Sequence, residues 1–452
     1  MGRLFGTDGI RGVANTHPMD SETALKLGRA LANVVKRKSG SHRILIGKDT
    51  RISGYMLETA LESGISSMGV DVLLVGPLPT PGVAFVTRSM RADAGIMISA
   101  SHNSYEDNGI KIFDRDGYKL PDDAEDEIEN LIMASGGTNS LSSDPSQIGK
   151  AFRIEDAIGR YIVFLKNVLP RSCSLEGLKI VVDAANGAAY RVAPQLFFEL
   201  GVEVVMLADR PNGKNINHEC GSLHPEKLVS KVREVGAHVG IAFDGDADRV
   251  IFCDEAGQLL DGDDILAMCA LHEKSSGRLS GNGVVGTVMS NFGLEQLFKS
   301  RNISFCRSDV GDRYVLLEMQ ERGFALGGEQ SGHIIFLDHN TTGDGLLTAL
   351  KVLTVMQEEG KPLSEYRKLV QRFPQLLINV PVRDKVPFSD IPAVVECLKD
   401  SEREIEGQGR ILLRYSGTEK KARVMVECES SALCSKVAEQ LAKVISDKIG
   451  VK

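Results

Sequence analysis

At 452 residues, 42% hydrophobic and 25% charged, the chain has the make-up of a soluble globular protein too long for one core, so three or four domains are expected. Its 61 acidic against 53 basic residues give a formal net charge of −8. That balance excludes a global basic field for nucleic acid, and a lack of Trp with 5% aromatics leaves little for base stacking. No run of about 18 apolar residues occurs, so no membrane partner is expected.

The opening MGRLFGTDGIRG lacks the apolar core and cleavage pattern of a signal peptide, which implies a cytoplasmic location. From Ile44 an apolar β-branched run, a polar turn, a helical stretch and a second apolar run follow one another. The unit recurs from Ile180 and again from Val284. Strands alternating with helices predict βαβ units and largely parallel sheets. The expected fold is α/β: three related α/β domains in series with mixed, largely parallel sheets, then a smaller C-terminal α+β domain around a shared cleft. Boundaries are placed at 1–150, 151–255, 256–370 and 371–452, the first in the Ser/Gly/Asn-rich stretch 135–149. The eight cysteines, scattered singly from Cys173 to Cys434, fit reduced thiols rather than a disulfide framework or a zinc site.

Four loops carry candidate chemistry. In GIMISASHNSYEDNGIKIF (95–113) a strand runs into Ser101 and His102, a hydroxyl nucleophile beside a cationic or proton-handling neighbour. Lys111 stands ten residues on, in a second strand-like stretch that can return to the same place. In GIAFDGDADRVIFCDE (240–255), Asp244, Asp246 and Asp248 alternate, and an extended loop would point all three carboxylates one way. Like charges so close call for a hard cation, Mg²⁺ or Mn²⁺, and Arg249 adds a fixed charge for a phosphate. The same aspartates fit an EF-hand spacing, but Arg249 stands where that loop needs Gly and the flanks read as strands, which rejects calcium sensing.

In ALGGEQSGHIIF (325–336), Glu329, Ser331 and His333 alternate among glycines, a set suited to sugar hydroxyls. In RYSGTE (414–419), Arg414, Ser416, Gly417 and Thr418 offer a guanidinium, hydroxyls and backbone N–H groups, the parts of a phosphate nest. GNGVVG (281–286) matches a dinucleotide fingerprint but precedes a strand instead of joining a strand to a helix, so it is set aside.

Taken in this order, the four loops resemble those of the α-D-phosphohexomutases from end to end: a phosphoserine loop, D-G-D-x-D-R, G-E-x-S-G-H and R-x-S-G-T-E. The resemblance implies that Ser101 is the phosphorylated nucleophile and that Ser101, Asp244, Asp246 and Asp248 ligate Mg²⁺. It implies that Lys111 is the general acid/base, with a pKa lowered toward neutrality, and that His102 and His333 lie near the transferring group. Arg11 and Arg249 are its charge partners at the reacting end. Glu329 and Ser331 become sugar contacts, and Arg414, Ser416, Gly417 and Thr418 anchor the non-reacting phosphate.

The phrases FGTDGIRG, NGKNINHECGSLHPE, VGTVMSN and GDRYV resemble the amino-sugar branch. That branch implies a glucosamine phosphate substrate, isomerised through a sugar 1,6-bisphosphate for UDP-N-acetylglucosamine synthesis. A bisphosphate or a kinase would prime the serine, and a homodimer is expected by analogy. The phosphomannomutase/phosphoglucomutase branch, a metal-dependent phosphatase and a cation-binding protein are the alternatives. Ser104, Tyr415 and Lys420 depart from the family's phrases, in which Pro, Lys and Pro are usual, and this puts the stiffness of two loops in question.

Overall fold

The computed structural model describes residues 4–6, 8–36, 40–134, 137–141, 143–416 and 419–451. Its first sheet has six strands: β1 (Ile10–Val13), β2 (Arg43–Lys48), β3 (Asp71–Pro77), β4 (Ala94–Ile98), β5 (Asp107–Asp114) and β6 (Ala151–Arg153). Their order is β1-β5-β4-β2-β3-β6, parallel across β4-β2-β3-β6 and antiparallel at β5 and β1. The sheet takes its last strand from beyond residue 150, so it continues past the expected boundary into 151–153.

The short apolar strands are buried on both faces because helices cover them, as parallel sheets require. Helices Ser21–Val35 and Ser53–Ser67 pack closely enough that a Cβ on Gly28 would lie 2.6 Å from the Leu61 carbonyl oxygen, and one on Gly64 would lie 2.3 Å from that of Leu25. Asp20 starts the first of them by accepting from the Thr23 N–H at 2.7 Å.

The second sheet contains β7 (Lys179–Asp183), β8 (Glu203–Leu207), β9 (Val239–Phe243), β10 (Val250–Asp254) and β11 (Leu259–Leu260) in the order β11-β10-β9-β7-β8. The β9-β7-β8 part is parallel, and the β10–β11 hairpin turns at 254–258, a stretch the sequence marks as a break. The third sheet orders β12 (Gly283–Thr287), β13 (Ser304–Ser308), β14 (Leu326–Gly328) and β15 (Ile334–Phe336) as β13-β12-β14-β15. The fourth is antiparallel throughout: β16 (Gln375–Pro381), β17 (Gly409–Tyr415) and β18 (Lys421–Cys428), with β18 central. Helices Pro392–Glu404 and Ser431–Ile449 bury Val394, Val437 and Leu441 in its core.

The chain forms two compact units. One comprises Met1–Thr287 with Cys306–Lys368, the other Val288–Phe305 with Leu369–Lys452. The second differs from a plain C-terminal domain, because the third repeat lends it the helix Phe292–Ser300. Glu427, buried on β18, accepts from the Phe292 N–H at 3.1 Å and pairs with Arg410 Nε at 2.5 Å. Arg410 in turn donates to the carbonyls of Val288 and Ser290, each at 2.8 Å.

Candidate active site

The strand end after β4 places Ser101 in a left-handed conformation at φ 51°, a strained position for a residue with a Cβ. The surroundings enforce it. Ser101 N–H donates to Ser99 Oγ at 2.9 Å, and Ser99 Oγ donates to Asp49 Oδ2 at 2.7 Å. Arg51, wholly buried, pairs with that carboxylate at 2.8 Å. Its guanidinium also donates to the carbonyls of Ser101 and Asn103 at 2.9 Å, to that of Asp107 at 3.1 Å, and to that of Ser104. Asn217 Nδ2 donates to the Ser101 and Asn103 carbonyls at 2.8 and 2.9 Å. The rigidity that a proline at 104 would give is supplied here by side chains from two other loops.

Asp244, Asp246 and Asp248 each bring a carboxylate oxygen within 4.8 Å of the others, all three buried. They converge by a different route from the extended alternation expected. Residues 244–249 form a tight turn with Ala247 at φ 56°, closed by the Asp244 carbonyl accepting from the Ala247 N–H at 3.2 Å. A Cβ on Gly245 would lie 2.5 Å from the Ser101 carbonyl oxygen, so glycine lets this turn touch the nucleophile loop. Ser101 Oγ donates to Asp244 Oδ2 at 2.6 Å, and Thr80 Oγ1 donates to Asp246 Oδ2 at 2.6 Å.

Burial and the neighbouring carboxylates Asp248 and Asp246 push Asp244 well up, and burial with Asp248 raises Asp246. Asp246 Oδ1 and Asp248 Oδ1 are buried with no hydrogen-bond partner among the described residues. Convergent oxygens left without donors fit a hard divalent cation, which would relieve this repulsion.

Lys111, on β5, lies 3.2 Å from Asp248 Oδ2, 3.2 Å from Asp8 Oδ2 and 3.6 Å from Asp246 Oδ2. Burial would lower its pKa, but Asp8, Asp248 and Asp246 outweigh it and raise it well above the usual lysine value. This corrects the expectation of a lowered pKa: the cations near Lys111 are outnumbered by carboxylates. Lys111, His333 and Arg249 likewise overcome burial and hold Asp248 well below the usual range.

His102 Nδ1 is 3.4 Å from Ser101 Oγ and accepts from Arg249 Nη1 at 3.1 Å. Burial, Arg249 and Arg11 lower its pKa to about 4, so the imidazole is neutral here and not a cation. Arg11 pairs with Asp8, which also touches Lys111.

Glu329, Ser331 and His333 occupy the β14–β15 turn, again folded rather than extended, with Gly332 at φ 91°. Ser331 Oγ donates to Glu329 Oε2 at 3.1 Å, and the Gly311 N–H donates to Glu329 Oε1 at 2.9 Å. His333 is buried with neither ring nitrogen hydrogen-bonded among the described residues. Arg11, Ser101, His102, Asp248, Arg249, Glu329 and His333 all line one cleft of about 520 Å³ within the first unit.

Asp8 and Asp312 line it too, and sequence reasoning passes over both. Each sits in a phrase valued for its likeness (FGTDGIRG, GDRYV), with no local pattern to announce its partners. Thr80, Asp49 and Arg51 are missed for the same reason.

In the second unit, Arg414 lies near the end of β17, paired in register with Arg423 on β18. Ser416 is buried, its carbonyl accepting from Lys385 Nζ at 2.6 Å. Gly417 and Thr418 lie outside the described residues. Tyr415 stacks on Phe388 at 4.4 Å and donates from its hydroxyl to the Val386 carbonyl at 2.5 Å. Lys420 reaches the Arg383 carbonyl at 2.9 Å and Asp384 at 3.2 Å in an exposed pair, so it does not turn inward to replace a lysine at 415.

Comparison with known proteins places this geometry. Models of the phosphoglucomutase/phosphomannomutase family match in succession: α/β/α domain I over 2–137, domain II over 159–257, domain III over 261–373 and the C-terminal domain over 377–444. The chain belongs to this family of sugar-phosphate isomerases, the α-D-phosphohexomutases. Among its curated relatives, the phosphoglucosamine mutase of Syntrophotalea carbinolica is 55% identical over 451 residues, covering 100% of this chain and 98% of that one. That of Geotalea daltonii is 55% identical over 450 residues, covering 100% and 99%. A phosphoglucomutase/phosphomannomutase family protein of Burkholderia thailandensis shares the fold at a TM-score of 0.81 and 24% identity, over 99% of both chains. So does an Aspergillus fumigatus N-acetylphosphoglucosamine mutase, solved with GlcNAc-6P and magnesium, at a TM-score of 0.67 and 18% identity over 98% and 95%. No helix among the described residues is long and apolar enough to cross a membrane.

Proposed function

We propose that this enzyme interconverts glucosamine 6-phosphate and glucosamine 1-phosphate by phosphoryl transfer through Ser101. The observation that carries the reading is Ser101 Oγ at 2.6 Å from Asp244, at the edge of a buried carboxylate triad that also pairs with Lys111, and in one cleft with Arg249. The amino-sugar assignment is supported by the whole-length relatives.

In the first half-reaction the bond from phosphorus to Ser101 Oγ breaks and a bond to a sugar oxygen forms, the sugar hydroxyl losing a proton and the serine oxygen gaining one. In the second the bond from phosphorus to the other sugar oxygen breaks and the bond to Ser101 Oγ re-forms, with the protons moving the opposite way, so the balance closes over the two. Phospho-Ser101 gives its group to the sugar monophosphate, the resulting 1,6-bisphosphate turns end for end, and its other phosphoryl group returns to Ser101. Arg249 and Arg11 face the reacting phosphate, and Lys111, held as an ammonium by Asp8, Asp248 and Asp246, gives its proton to the oxygen that phosphorus leaves and recovers one from the attacking hydroxyl. His102, fixed by Arg249, lies against the serine. Glu329 and Ser331 hold the sugar hydroxyls, with His333 beside the transferring group.

Asp244, Asp246 and Asp248, with Ser101, would hold Mg²⁺. When bound, the ion supplies positive charge for the equatorial phosphoryl oxygens. Arg414 and Ser416, with Gly417 and Thr418, anchor the other phosphate. A sugar 1,6-bisphosphate or a kinase primes the serine, and the product feeds UDP-N-acetylglucosamine synthesis in the cytoplasm.

The test is a coupled assay with Mg²⁺ and a trace of sugar bisphosphate, comparing glucosamine 6-phosphate with glucose 1-phosphate and mannose 1-phosphate. Preference for glucosamine 6-phosphate, abolished in Ser101→Ala, is expected. Preference for a neutral sugar moves the assignment to the phosphomannomutase/phosphoglucomutase branch, and wild-type rates in Ser101→Ala remove the nucleophile.

A further inference from the structure

Glucosamine phosphate differs from glucose phosphate by one group, the C2 ammonium in place of a hydroxyl. A site that prefers the amino sugar needs an anionic group that is not already neutralised by the protein. The cleft's carboxylates can be sorted by that criterion. Asp8 is paired with Lys111 and Arg11, and Asp248 with Lys111. Both oxygens of Glu329 accept hydrogen bonds, from the Gly311 N–H and Ser331 Oγ. Asp244 and Asp246 belong to the metal triad.

Asp312 is different. It opens the helix Asp312–Arg322, directly after Gly311, and lines the cleft of about 520 Å³. Among the described residues no Lys, Arg or His nitrogen lies within 4.0 Å of its carboxylate. Its hydrogen bond is local: Oδ1 accepts from the Arg313 N–H at 2.8 Å. Through Gly311 it is tied to Glu329, the proposed sugar contact.

We propose that Asp312 is a specificity-determining residue whose carboxylate reads the C2 ammonium of the sugar phosphate. The inference rests on the glucosamine reading above. An otherwise unpaired carboxylate in a cleft gains most from a cationic ligand, because the ion pair replaces a desolvated lone charge. Burial and the like charge of Asp8 raise the Asp312 pKa and outweigh the lowering by His333 and Lys111. Because the ring turns end for end between half-reactions, C2 meets Asp312 in one of its two orientations. The Haldane relation still requires equal loss of kcat/KM in both directions when the contact is removed.

The experiment compares glucosamine 6-phosphate with glucose 6-phosphate for wild type, Asp312→Asn and Asp312→Ser, with a thermal melt of each. Serine suits a helix start, so at least one neutral variant should fold. The expected result is a fall of at least tenfold in the ratio of the two kcat/KM values in the neutral variants, with Asp312→Glu retaining most of the preference. An unchanged ratio, whether both activities survive or fall together, overturns the inference. A wild-type enzyme that prefers glucose 6-phosphate defeats instead the reading on which it rests.

Discussion

The guanidinium of Arg51 donates to the carbonyl oxygen of Ser101 at 2.9 Å from a position with no solvent exposure. Fifty residues separate the two in sequence, yet Arg51 fixes where the nucleophile's backbone lies. Four carbonyls of one loop and one carboxylate converge on this side chain. Lysine cannot reproduce the fork.

Arg51→Ala therefore leaves Asp49 buried and uncompensated, a loss of about 3–5 kcal/mol in chemical denaturation. Arg51→Lys should fold better but lose turnover at least tenfold, because the 101–107 loop is no longer held. Wild-type turnover in Arg51→Lys would mean that the loop holds its shape without the fork.

The triad's electrostatics predict a stabilising effect of metal that can be read without any assay of activity. A cation at 100 times its dissociation constant adds about 2.7 kcal/mol to unfolding free energy. Mg²⁺ should raise the melting temperature of the metal-stripped protein, and Asp246→Asn should abolish most of the rise. An equal rise in the variant would place the cation elsewhere.

His102 should not titrate in the neutral range in the dephosphorylated protein, since its pKa is lowered to about 4. Burial is the main cause and Arg249 the next. Arg249→Met should therefore move the pKa part of the way back toward 6.5. NMR of the imidazole protons across pH 3 to 8 reads both values.

Asp344 offers a second pH dependence, although the next residue, Gly345, donates to the Ala247 carbonyl of the aspartate turn at 3.0 Å. Burial raises its pKa from 3.8 to about 6, although it accepts from Tyr161 Oη at 2.8 Å and the Leu347 N–H at 2.9 Å. For an acid whose folded pKa is raised, stability is fully present below the unfolded value and is lost as pH rises through the folded one. The loss between pH about 4 and 6 is roughly 3 kcal/mol. Asp344→Asn keeps the helix cap and should flatten that slope in urea titrations taken across the window. A slope equal to wild type would assign it to other groups.

Much of the site is legible in the sequence because its chemistry is local. Asp244, Asp246 and Asp248 in quick succession, a serine at a strand end and a lysine shortly after it are visible to anyone reading the chain. Their backbone is less so: alternation suggests extended loops, whereas Ala247 in the aspartate turn and Gly332 in the sugar turn fold them by adopting positive φ. The partners are hidden for a different reason. Asp8 reaches Lys111 from the far end of the first domain and Thr80 reaches Asp246 across 166 residues, and such pairings are settled by topology. The fold class follows from the βαβ rhythm. The transfer of helix Phe292–Ser300 to the second unit does not, because it depends on Glu427 and Arg410, more than a hundred residues downstream.

That transfer limits how the gene can be recombined. A chimera that exchanges residues 369–452 alone moves Glu427 and Arg410 to a host whose 288–292 segment evolved with other partners. The buried carboxylate and the guanidinium then rely on the host segment to place one N–H and two carbonyls where this chain places those of Phe292, Val288 and Ser290. The heritable module is a discontinuous pair of segments, so a working crossover needs both 288–305 and 369–452 from one parent.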